Sequence, residues 1–384
     1  MQSADIQSQR AGSPLKTARG YVAFQPRLLP PELRFTLPLV CRLSEADRAL
    51  SELAGVGRTL PNPHLLIRPF ARREAVLSSR IEGTQASLSD LLFFEAAPAR
   101  ATPAPDVREV ANYVRALDHG LARLSELPVS LRLLREMHAL LLDGVRGQAQ
   151  TPGEFRCSQN WIGRPGCTLS DAAYVPPPVP EMDDALGALE RYLHEASDLP
   201  PLVRLALIHY QFEAIHPFLD GNGRIGRLLI VLLLCIDRLL PQPLLYLSAF
   251  FERHREEYYE RLLGVSFRGE WEEWVDFFLR AVAAQARDAV RRSDRLLALW
   301  REYRERLQAE RAGSLALRLV DTVFAEPAVS NPHLAKAFAA TPAGVQRCID
   351  KLTAASILRE VTGGRRNRFY VADEILRILE EPEP

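Results

Sequence analysis

The sequence predicts a mainly α-helical protein: a helical core with a short β-hairpin flap, followed by a C-terminal winged helix-turn-helix. Apolar residues recur at intervals of three and four over residues 107–117, as on one face of a helix. Residues 152–178 contain few helix signals and favour two short strands joined by a turn. Beyond residue 313, three short helical segments precede two short strands, which is the order of a winged helix.

Composition and charge restrict the class of protein. The chain of 384 residues is long enough for two or three domains, and 47% of its residues are hydrophobic, which suffices for a sizeable core. Acidic and basic residues balance at 48 each, so net charge recruits neither nucleic acid nor a membrane surface. The five scattered cysteines lack metal-ligand spacing and suit a reducing compartment. No apolar run is long enough to span a bilayer. We therefore expect a soluble cytoplasmic protein with no membrane partner.

Breaks in composition suggest the order of the domains. The first residues are rich in Gln, Ser, Ala and Gly, and residues 97–105 form a run of Ala and Pro that suits a boundary. We expect, in order, a flexible tail (1–20), an N-terminal helical domain (21–100), the main helical core (106–285), a linker helix (286–312) and the winged helix-turn-helix (313–384).

A loop at residues 216–227 is the feature around which the chain is organised. It reads His-Pro-Phe-Leu-Asp-Gly-Asn-Gly-Arg-Ile-Gly-Arg and lies between two helical segments, of which the second is almost wholly apolar. Pro217 disfavours helix at the residue before it, and the Asp-Gly and Asn-Gly pairs concentrate turn-forming residues. The pattern predicts a helix, a tight loop and a buried helix whose N-terminus faces the loop.

The residue types of this loop suit the binding of a phosphate group. Unpaired N–H groups at a helix N-terminus attract anions, and Gly221 and Gly223 let the backbone approach an anion closely. Arg224 and Arg227 add charge in a geometry that matches phosphate. Asn222 adds a neutral donor. The loop is therefore a candidate phosphate site.

An acid and a titratable base complete the set. Asp220 alone would repel a phosphate, and a Mg²⁺ ion that bridges the two would explain its presence. His216 can take up a proton near neutral pH. Together these residues predict a phosphoryl or nucleotidyl transfer site. The alternatives are a hairpin turn at the glycines and a solvated helix face for Arg224 and Arg227, but the helical flanks disfavour the hairpin.

At these residues the sequence resembles the Fic family, whose signature His-Pro-Phe-x-Asp/Glu-Gly-Asn-Gly-Arg-x-x-Arg is met at every fixed position. The resemblance implies a helical core that moves AMP from ATP onto a Ser, Thr or Tyr hydroxyl of a protein. It implies that His216 is the general base and Asp220 the Mg²⁺ ligand, and that Arg227 contacts the γ-phosphate. The nucleotide-binding set that follows from it comprises Gly221, Asn222, Gly223, Arg224, Gly226 and Arg227.

A second segment, Ser-Ser-Arg-Ile-Glu-Gly at residues 78–83, resembles the inhibitory helix of Fic proteins. Ser78 and Glu82 are four residues apart and share a face on a helix, and Gly83 suits a helix end. Taken alone, the segment would be an ordinary surface helix end. The resemblance implies that the Glu82 carboxylate pairs with Arg227, takes the place that the γ-phosphate needs and so inhibits transfer.

Several side chains outside the two motifs have competing interpretations. The predicted hairpin at 152–178 resembles a flap that positions a target peptide by main-chain pairing, and a plain surface hairpin is the alternative. Within it, Arg156 could support the loop from below. Tyr258 and Tyr259 suit core packing better than an adenine wall. His138 is expected on a helix surface or in the core rather than in catalysis.

The expected partner is a protein with a hydroxyl side chain, which can be this chain itself. The sequence leaves open a homodimer. It also leaves open DNA binding through the C-terminal module, with Gln346, Arg347 and Lys351 facing the groove and Arg365 and Arg366 on the wing. A protein-binding role for that module is the alternative.

Three other functions compete with AMP transfer. The same loop could move another phosphate-containing group. Glu82 could orient a water molecule, so that the enzyme removes AMP from modified proteins. Finally, the chain could be a DNA-binding regulator with a vestigial active site, which the unbroken loop signature disfavours.

Overall fold

The computed structural model describes residues 1–384 except 60–61, 97–103, 165, 364–367 and 383–384. The chain is mostly helical, as the sequence predicts, and the strands form two small antiparallel sheets. The helices are α1 Leu37–Thr59, α2 His64–Ile81, α3 Leu88–Ala96, α4 Pro105–Arg123, α5 Leu131–Leu141, α6 Val179–His194, α7 Pro201–Ile215, α8 Asn222–Ile236, α9 Ser248–Arg253, α10 Arg255–Arg268, α11 Trp271–Ala309, α12 Ser314–Ala325, α13 Asn331–Phe338, α14 Pro342–Ala354 and α15 Asp373–Glu380. The strands are β1 Gly12–Lys16, β2 Val22–Pro26, β3 Ala328–Ser330, β4 Arg359–Glu360 and β5 Phe369–Val371.

Helices α7 and α8 form the centre of the core. Nearly every residue of both helices is buried. Such burial on all sides is expected for an apolar helix that other helices enclose, and α4, α5, α10 and α11 pack around this pair. The N-terminus of α8 is thereby placed inside the molecule, with the free N–H groups of its first turn.

Helix α2 lies between the core and the C-terminal part of the chain. It packs on α4 and α9 at one side and on α12 at another. Besides its apolar residues it buries Ser78 and Ser79. The helix ends at Ile81, and Gly83 follows with a φ of +97°, a left-handed backbone that favours glycine.

Part of the predicted flexible tail forms a strand and an ion pair. Strand β1 pairs antiparallel with β2 over its whole length. The Arg10 guanidinium donates to both carboxylate oxygens of Glu272, at 2.7 and 2.9 Å. The polar composition concealed this order, because backbone pairing and an ion pair between residues 262 positions apart leave no local periodicity.

The predicted flap is smaller than a hairpin of two strands. Ile162 and Tyr174 form a single antiparallel bridge, with N–H···O distances of 2.9 and 3.1 Å. The next pairing comes from another segment, because the Phe24 N–H of β2 donates to the Val175 carbonyl at 2.8 Å. Residues 176–178 are prolines, which have no N–H to extend the ladder. Strand β2 therefore supports the flap.

Residues 286–309 are not a separate linker helix. Helix α11 runs without a break across the predicted boundary at residue 285. Asp288 and Arg292 are buried in this part, and their ion pair at 2.7 Å explains how a charged stretch can be packed. The charged composition suggested a helix that merely connects two domains. Instead, α11 packs against α15.

The C-terminal module places α12, β3, α13 and α14 before β4 and β5, and its sheet has the order β3-β5-β4. This order is consistent with a winged helix, which stays a prediction, as does DNA binding. Arg365 and Arg366 of the predicted wing, and most of the predicted boundary at 97–105, lie outside the described residues. In the part of the chain that the structure describes, no helix has the length and apolarity needed to cross a membrane.

Candidate active site

The loop between α7 and α8 contains two residues with a left-handed backbone. His216 ends α7 with a φ of +50°, and Gly221 precedes α8 with a φ of +81°. Glycine adopts this conformation easily, whereas histidine needs support from its surroundings. Arg156 Nε and Asn160 Nδ2 donate to the His216 carbonyl at 3.0 and 3.2 Å and provide that support.

Asn222 shapes the loop with its side chain instead of offering that side chain to a ligand. Its Oδ1 accepts from the Phe218 N–H, and its Nδ2 donates to the Phe218 carbonyl, both at 2.8 Å. Both residues are buried. The part of Asn222 that can face a phosphate is therefore its backbone N–H, at the N-terminus of α8.

His138 is buried in the core, one of the two positions that the sequence favoured, and it also touches the loop. Its ring stacks on Phe218 with the centroids 3.8 Å apart. The Gly153 N–H donates to Nδ1 at 2.9 Å, so the proton is on Nε2, which donates to the Asp220 carbonyl at 2.9 Å. Burial lowers the pKa of His138 to about 4, so the ring stays neutral. A lone histidine on an apolar helix face gives no signal of this role.

His216 is held as a neutral imidazole. Its Nδ1 lies 3.3 Å from the backbone carbonyl of Glu213, which can only accept, so the proton is on Nδ1 and the lone pair on Nε2. Burial lowers the pKa of His216 to about 4, and the charge of Arg156 acts in the same direction. A neutral ring with a free Nε2 can accept a proton from a hydroxyl group.

Arg224 is a buried cation with unused hydrogen-bond donors. It is 1% exposed, its Nη2 donates to Asp220 Oδ1 at 3.2 Å, and its Nη1 lies 3.5 Å from Glu109 Oε2. Its Nε and Nη1 make no hydrogen bond to the residues that the structure describes. Buried donors in proteins normally have a partner. These two donors make Arg224 a candidate for contact with an anionic ligand next to α8.

Asp220 is the acid of the loop. Its Oδ1 accepts from the Gly221 N–H at 2.6 Å and from Arg224. Among the described residues, no group of three or more His, Cys, Asp or Glu side chains is placed to hold a metal ion. A cation on Asp220 would therefore take its other ligands from phosphate oxygens and water, as Mg²⁺ does in nucleotide sites.

The structure brings Ser78, Glu82 and Arg227 together across about 150 residues of chain. Arg227 Nε donates to Ser78 Oγ at 2.7 Å, and Nη2 donates to the Ser78 carbonyl at 3.0 Å and to Glu82 Oε1 at 2.7 Å. Burial alone would raise the pKa of Glu82, but the charge of Arg227, its hydrogen bond to the carboxylate and the charge of Arg224 together lower the pKa. The contact is therefore an ionised pair.

Glu109 connects the end of α2 to the loop. The Thr84 hydroxyl donates to Glu109 Oε2 at 3.3 Å, and the same oxygen lies 3.5 Å from Arg224. Glu109 is buried on α4. The Glu109 carboxylate thus contacts both Arg224 and Thr84, which follows Glu82 by two residues. The sequence alone did not indicate this link.

Two glycines of α8 make room for carboxyl groups. A Cβ added to Gly223 would lie 2.5 Å from Glu82 Oε1, and one added to Gly226 would lie 2.3 Å from Glu213 Oε1. Gly223 therefore accommodates the Glu82 contact, besides its predicted place beside a phosphate. Gly226, predicted in the nucleotide-binding set, faces α7. Glu213 belongs to no fixed position of the loop signature, and sequence analysis missed it.

A cavity of about 570 Å³ lies beside these groups. It is lined by Glu82, His216 and Arg227, by the flap, and by the tyrosines of α10. Tyr258 is buried and packs in an aromatic cluster, as the sequence suggested, whereas Tyr259 is 37% exposed. The cavity can hold a small ligand next to the N-terminus of α8, with Tyr259 available as a wall.

Comparison with known proteins identifies two matching family models. The model described as "Fic/DOC family N-terminal" matches residues 40–122, and the model described as "Fic/DOC family" matches residues 128–234. Among curated proteins, the protein adenylyltransferase Fic of Drosophila virilis is 34% identical over 116 residues, and that of Drosophila yakuba is 33% identical over 116 residues. Each match covers 29% of this chain and 21% of the relative. The chain thus spans about a fifth of the length of these relatives.

Solved structures share the fold. A Fic family protein from Desulfovibrio desulfuricans G20 has a TM-score of 0.57 at 19% identity, with 89% of this chain and 98% of that chain covered. Fic-1 from C. elegans has a TM-score of 0.52 at 22% identity, with 68% and 75% covered. The chain thus carries a Fic/DOC family N-terminal region at residues 40–122 and a Fic/DOC family domain at residues 128–234.

Proposed function

We propose that this protein transfers AMP from ATP to a Ser, Thr or Tyr hydroxyl of a protein. The observation that carries the proposal is the buried Arg224 guanidinium, whose Nε and Nη1 have no hydrogen bond within the described chain and lie at the N-terminus of α8. A polyphosphate supplies the acceptors that these donors lack. The name of the relatives, protein adenylyltransferase, supports the same reaction.

The loop would hold the polyphosphate. The first-turn N–H groups of α8, at Asn222, Gly223 and Arg224, face the anion with the positive end of the helix dipole. Asp220 would bind Mg²⁺ together with the phosphate oxygens, because a lone carboxylate beside a phosphate needs a cation between them. When bound, the ion neutralises charge on the phosphates and on the departing pyrophosphate.

His216 would begin the reaction by removing a proton. Its Nε2 takes the proton of the target hydroxyl, and the hydroxyl oxygen forms a bond to the α-phosphorus of ATP. The bond between that phosphorus and the bridging oxygen breaks, and pyrophosphate leaves with the electron pair. Correct positioning and the fixed positive charges of Arg224 and the α8 N-terminus account for most of the acceleration expected in such a reaction.

Glu82 would hold this activity back. It occupies Arg227, which is the remaining guanidinium of the loop and the one proposed to bind the γ-phosphate. Ser78 provides two further acceptors for the same side chain. A γ-phosphate must displace the carboxylate before ATP can bind with its α-phosphate in line with the attacking oxygen. This arrangement favours the autoinhibited reading of the segment.

The target would be a protein chain that reaches the cavity along the flap. Trp161 and Ile162 are large apolar side chains on the flap, 41% and 37% exposed, and both line the cavity. Apolar groups exposed beside a polar site suit an extended peptide segment. The modified hydroxyl can belong to another protein or to a second copy of this chain.

Labelled ATP tests the proposal directly. We expect label from α-labelled ATP, and not from γ-labelled ATP, on protein incubated with the Glu82→Gly variant and Mg²⁺. Label from γ alone would indicate a kinase and overturn AMP transfer. A mass increase of the protein that appears only with a different phosphate-containing donor, and not with ATP, would indicate transfer of another group. If Glu82→Gly lowers the removal of AMP from a modified protein without raising transfer, Glu82 orients a water molecule instead.

A further inference from the structure

Glu213 is a carboxyl group in the site that the proposed reaction does not use. It lies on α7, one turn before His216, and lines the same cavity as Arg227. Its Oε1 is buried and has no hydrogen-bond partner among the described residues. A buried carboxyl oxygen without a partner is unfavourable, so its presence beside a ligand cavity indicates that a ligand supplies the partner.

The position of Glu213 relates it to Glu82. The Glu213 carboxyl lies against Gly226, and the Glu82 carboxyl lies against Gly223, one turn earlier on α8. Residues 223, 226 and 227 share one face of a helix. Both carboxyls therefore approach the face that carries Arg227. Glu82 forms an ion pair with Arg227 at 2.7 Å, whereas Glu213 forms no ion pair with the described residues.

The surroundings favour the neutral form of Glu213. Burial raises the pKa of Glu213 to about 7, with Arg227 acting against this rise and Glu82 adding to it. On α7, His209 lies beside the carboxyl and stays neutral, because burial lowers its pKa to about 3. On α10, the pKa of Tyr258 is raised by burial, so that this group is neutral as well.

The remaining charged and titratable groups of the cavity do not change this balance. His216 stays neutral, because burial lowers its pKa to about 4. Tyr259 stays neutral as well, because burial raises its pKa to about 12. Arg164 of the flap and Arg255 of α10 are the other cations of the lining, and neither forms an ion pair with Glu213. Arg227 is therefore the cation whose charge lowers the pKa of Glu213, and it already forms an ion pair with Glu82.

We propose that Glu213 is a nucleotide-binding residue that recognises the terminal phosphate of a triphosphate. As a neutral carboxylic acid, it donates a hydrogen bond to the phosphate that Arg227 binds. As a carboxylate, it repels that phosphate. The identity of the nucleotide rests on the proposed function, whereas the role of Glu213 requires only that a nucleoside triphosphate binds. Affinity for ATP should therefore fall as the pH rises through neutrality, and affinity for ADP, which lacks the terminal phosphate, should change little.

Calorimetric titration tests this role. The parent protein carries Glu82→Gly, which frees Arg227, and His216→Ala, which prevents transfer during the titration. The comparison protein carries Glu213→Gln in addition, because glutamine keeps a donor of similar shape and cannot ionise. Dissociation constants for ATP and ADP are measured at saturating Mg²⁺ between pH 6.5 and 8.5.

For the parent protein we expect the dissociation constant for ATP, relative to that for ADP, to rise on the order of tenfold across this range. In the Glu213→Gln protein, the ratio of the dissociation constant for ATP to that for ADP should stay nearly constant. It should equal the value that the parent protein shows at low pH. A third protein with Glu213→Leu should also show a constant ratio, but at a value between the two limits of the parent protein, because leucine neither donates a hydrogen bond to the phosphate nor repels it. Equal pH dependence in the parent and in Glu213→Gln overturns the proposal, as does an equal loss of ATP and ADP binding in Glu213→Gln.

The outcomes separate this inference from the proposed function. Binding is measured without transfer, so a failure of the labelling experiment leaves the triphosphate preference intact if the ratios behave as expected. A second outcome is successful labelling together with a pH-independent ratio of the ATP and ADP dissociation constants in the parent protein. This outcome overturns the role of Glu213 and leaves the proposed function intact. The parent protein suffices for that outcome, even if Glu213→Gln does not fold.

Discussion

Arg227 is the residue on which the proposed control of the active site depends. Among the described residues, its guanidinium donates three hydrogen bonds, two to Ser78 and one to Glu82. A buried guanidinium that loses its partner must find another, because an unpaired buried charge is strongly unfavourable. A phosphate is an anion of matching geometry. Under the proposed function, Glu82 and a terminal phosphate would therefore compete for this one side chain.

This competition predicts that Glu82→Gly raises transferase activity. The change frees Arg227 for the terminal phosphate without altering the loop. Arg227→Ala should not raise activity, because it removes the same phosphate contact, and the double variant should resemble Arg227→Ala. Self-modification of the four proteins with α-labelled ATP at fixed Mg²⁺ measures the effect. Activity of Glu82→Gly no higher than that of the unaltered protein would refute the inhibitory role.

His216 is predicted to be the general base. In the Glu82→Gly protein, His216→Ala should lower the rate of transfer by about 10²–10⁴-fold, the usual contribution of a general base. ATP binding should persist, because Arg224 and the N-terminus of α8 remain. The rate of α-label incorporation and the dissociation constant for ATP are measured on the same preparations. Near-normal turnover would assign proton removal to another group.

At the scale of elements, His209 holds α7 against its neighbours. Its Nδ1 donates to the Gly226 carbonyl of α8 at 3.2 Å, and its Nε2 accepts from the Tyr258 hydroxyl of α10 at 2.8 Å. Burial lowers the pKa of His209 to about 3, with Arg227 acting in the same direction. A neutral histidine thus connects the two helices that flank the loop to the wall of the cavity.

This buried histidine predicts a pH-dependent difference in stability. The folded pKa of His209 lies below the ordinary value of about 6.5, so below that pH the unfolded chain takes up a proton that the folded protein cannot. The stability supplied by His209 is complete above pH 6.5 and is lost as the pH falls. In His209→Gln the group does not titrate. The difference in unfolding free energy between the two proteins, from urea denaturation, should shrink by roughly 2 kcal/mol between pH 6.5 and 5. A pH-independent difference would contradict the assignment.

For the whole molecule, the C-terminal module is part of the packing around α2. The Arg68 guanidinium of α2 lies 2.5 Å from Glu326, and the Ser330 hydroxyl donates to the Ala96 carbonyl at 3.0 Å. From α11, Arg292 Nη2 donates to the Glu381 carbonyl at 2.7 Å. Helix α2 therefore lies between the active site and the C-terminal module. A disturbance on one side can reach the other through this helix.

Removal of the C-terminal module tests this coupling. A shortened protein that ends at Arg311 should unfold at a lower temperature, because α2 and α11 lose apolar cover. It should also show more transfer than the full-length protein, because a loosened α2 holds Glu82 less firmly. In the Glu82→Gly background the same truncation should add no activity. An unchanged melting temperature, or equal gains in both backgrounds, would show that α2 does not carry the effect.

The sequence predicted the fold class and the loop because both depend on residues close together in the chain. Helical periodicity is local, and so is the cluster of Asp-Gly and Asn-Gly between two apolar helices. The Ser78, Glu82 and Arg227 contact spans about 150 residues, and only the resemblance to a family pointed to it. The predicted flap and linker helix were each judged from composition, which does not show what packs against a segment.

The sequence by itself therefore determined which residues form the loop at the N-terminus of α8. Tertiary structure alone decided that residues 12–16 form a strand and that Arg10 forms an ion pair, that α11 continues past residue 285, and that His138 and Glu213 lie beside the loop and the cavity. The physical reason is the distance along the chain. A turn or an amphipathic helix depends on residues that are close together in the sequence. A hydrogen bond between distant residues, or the burial of a carboxyl group, depends on groups that only the folded chain brings together.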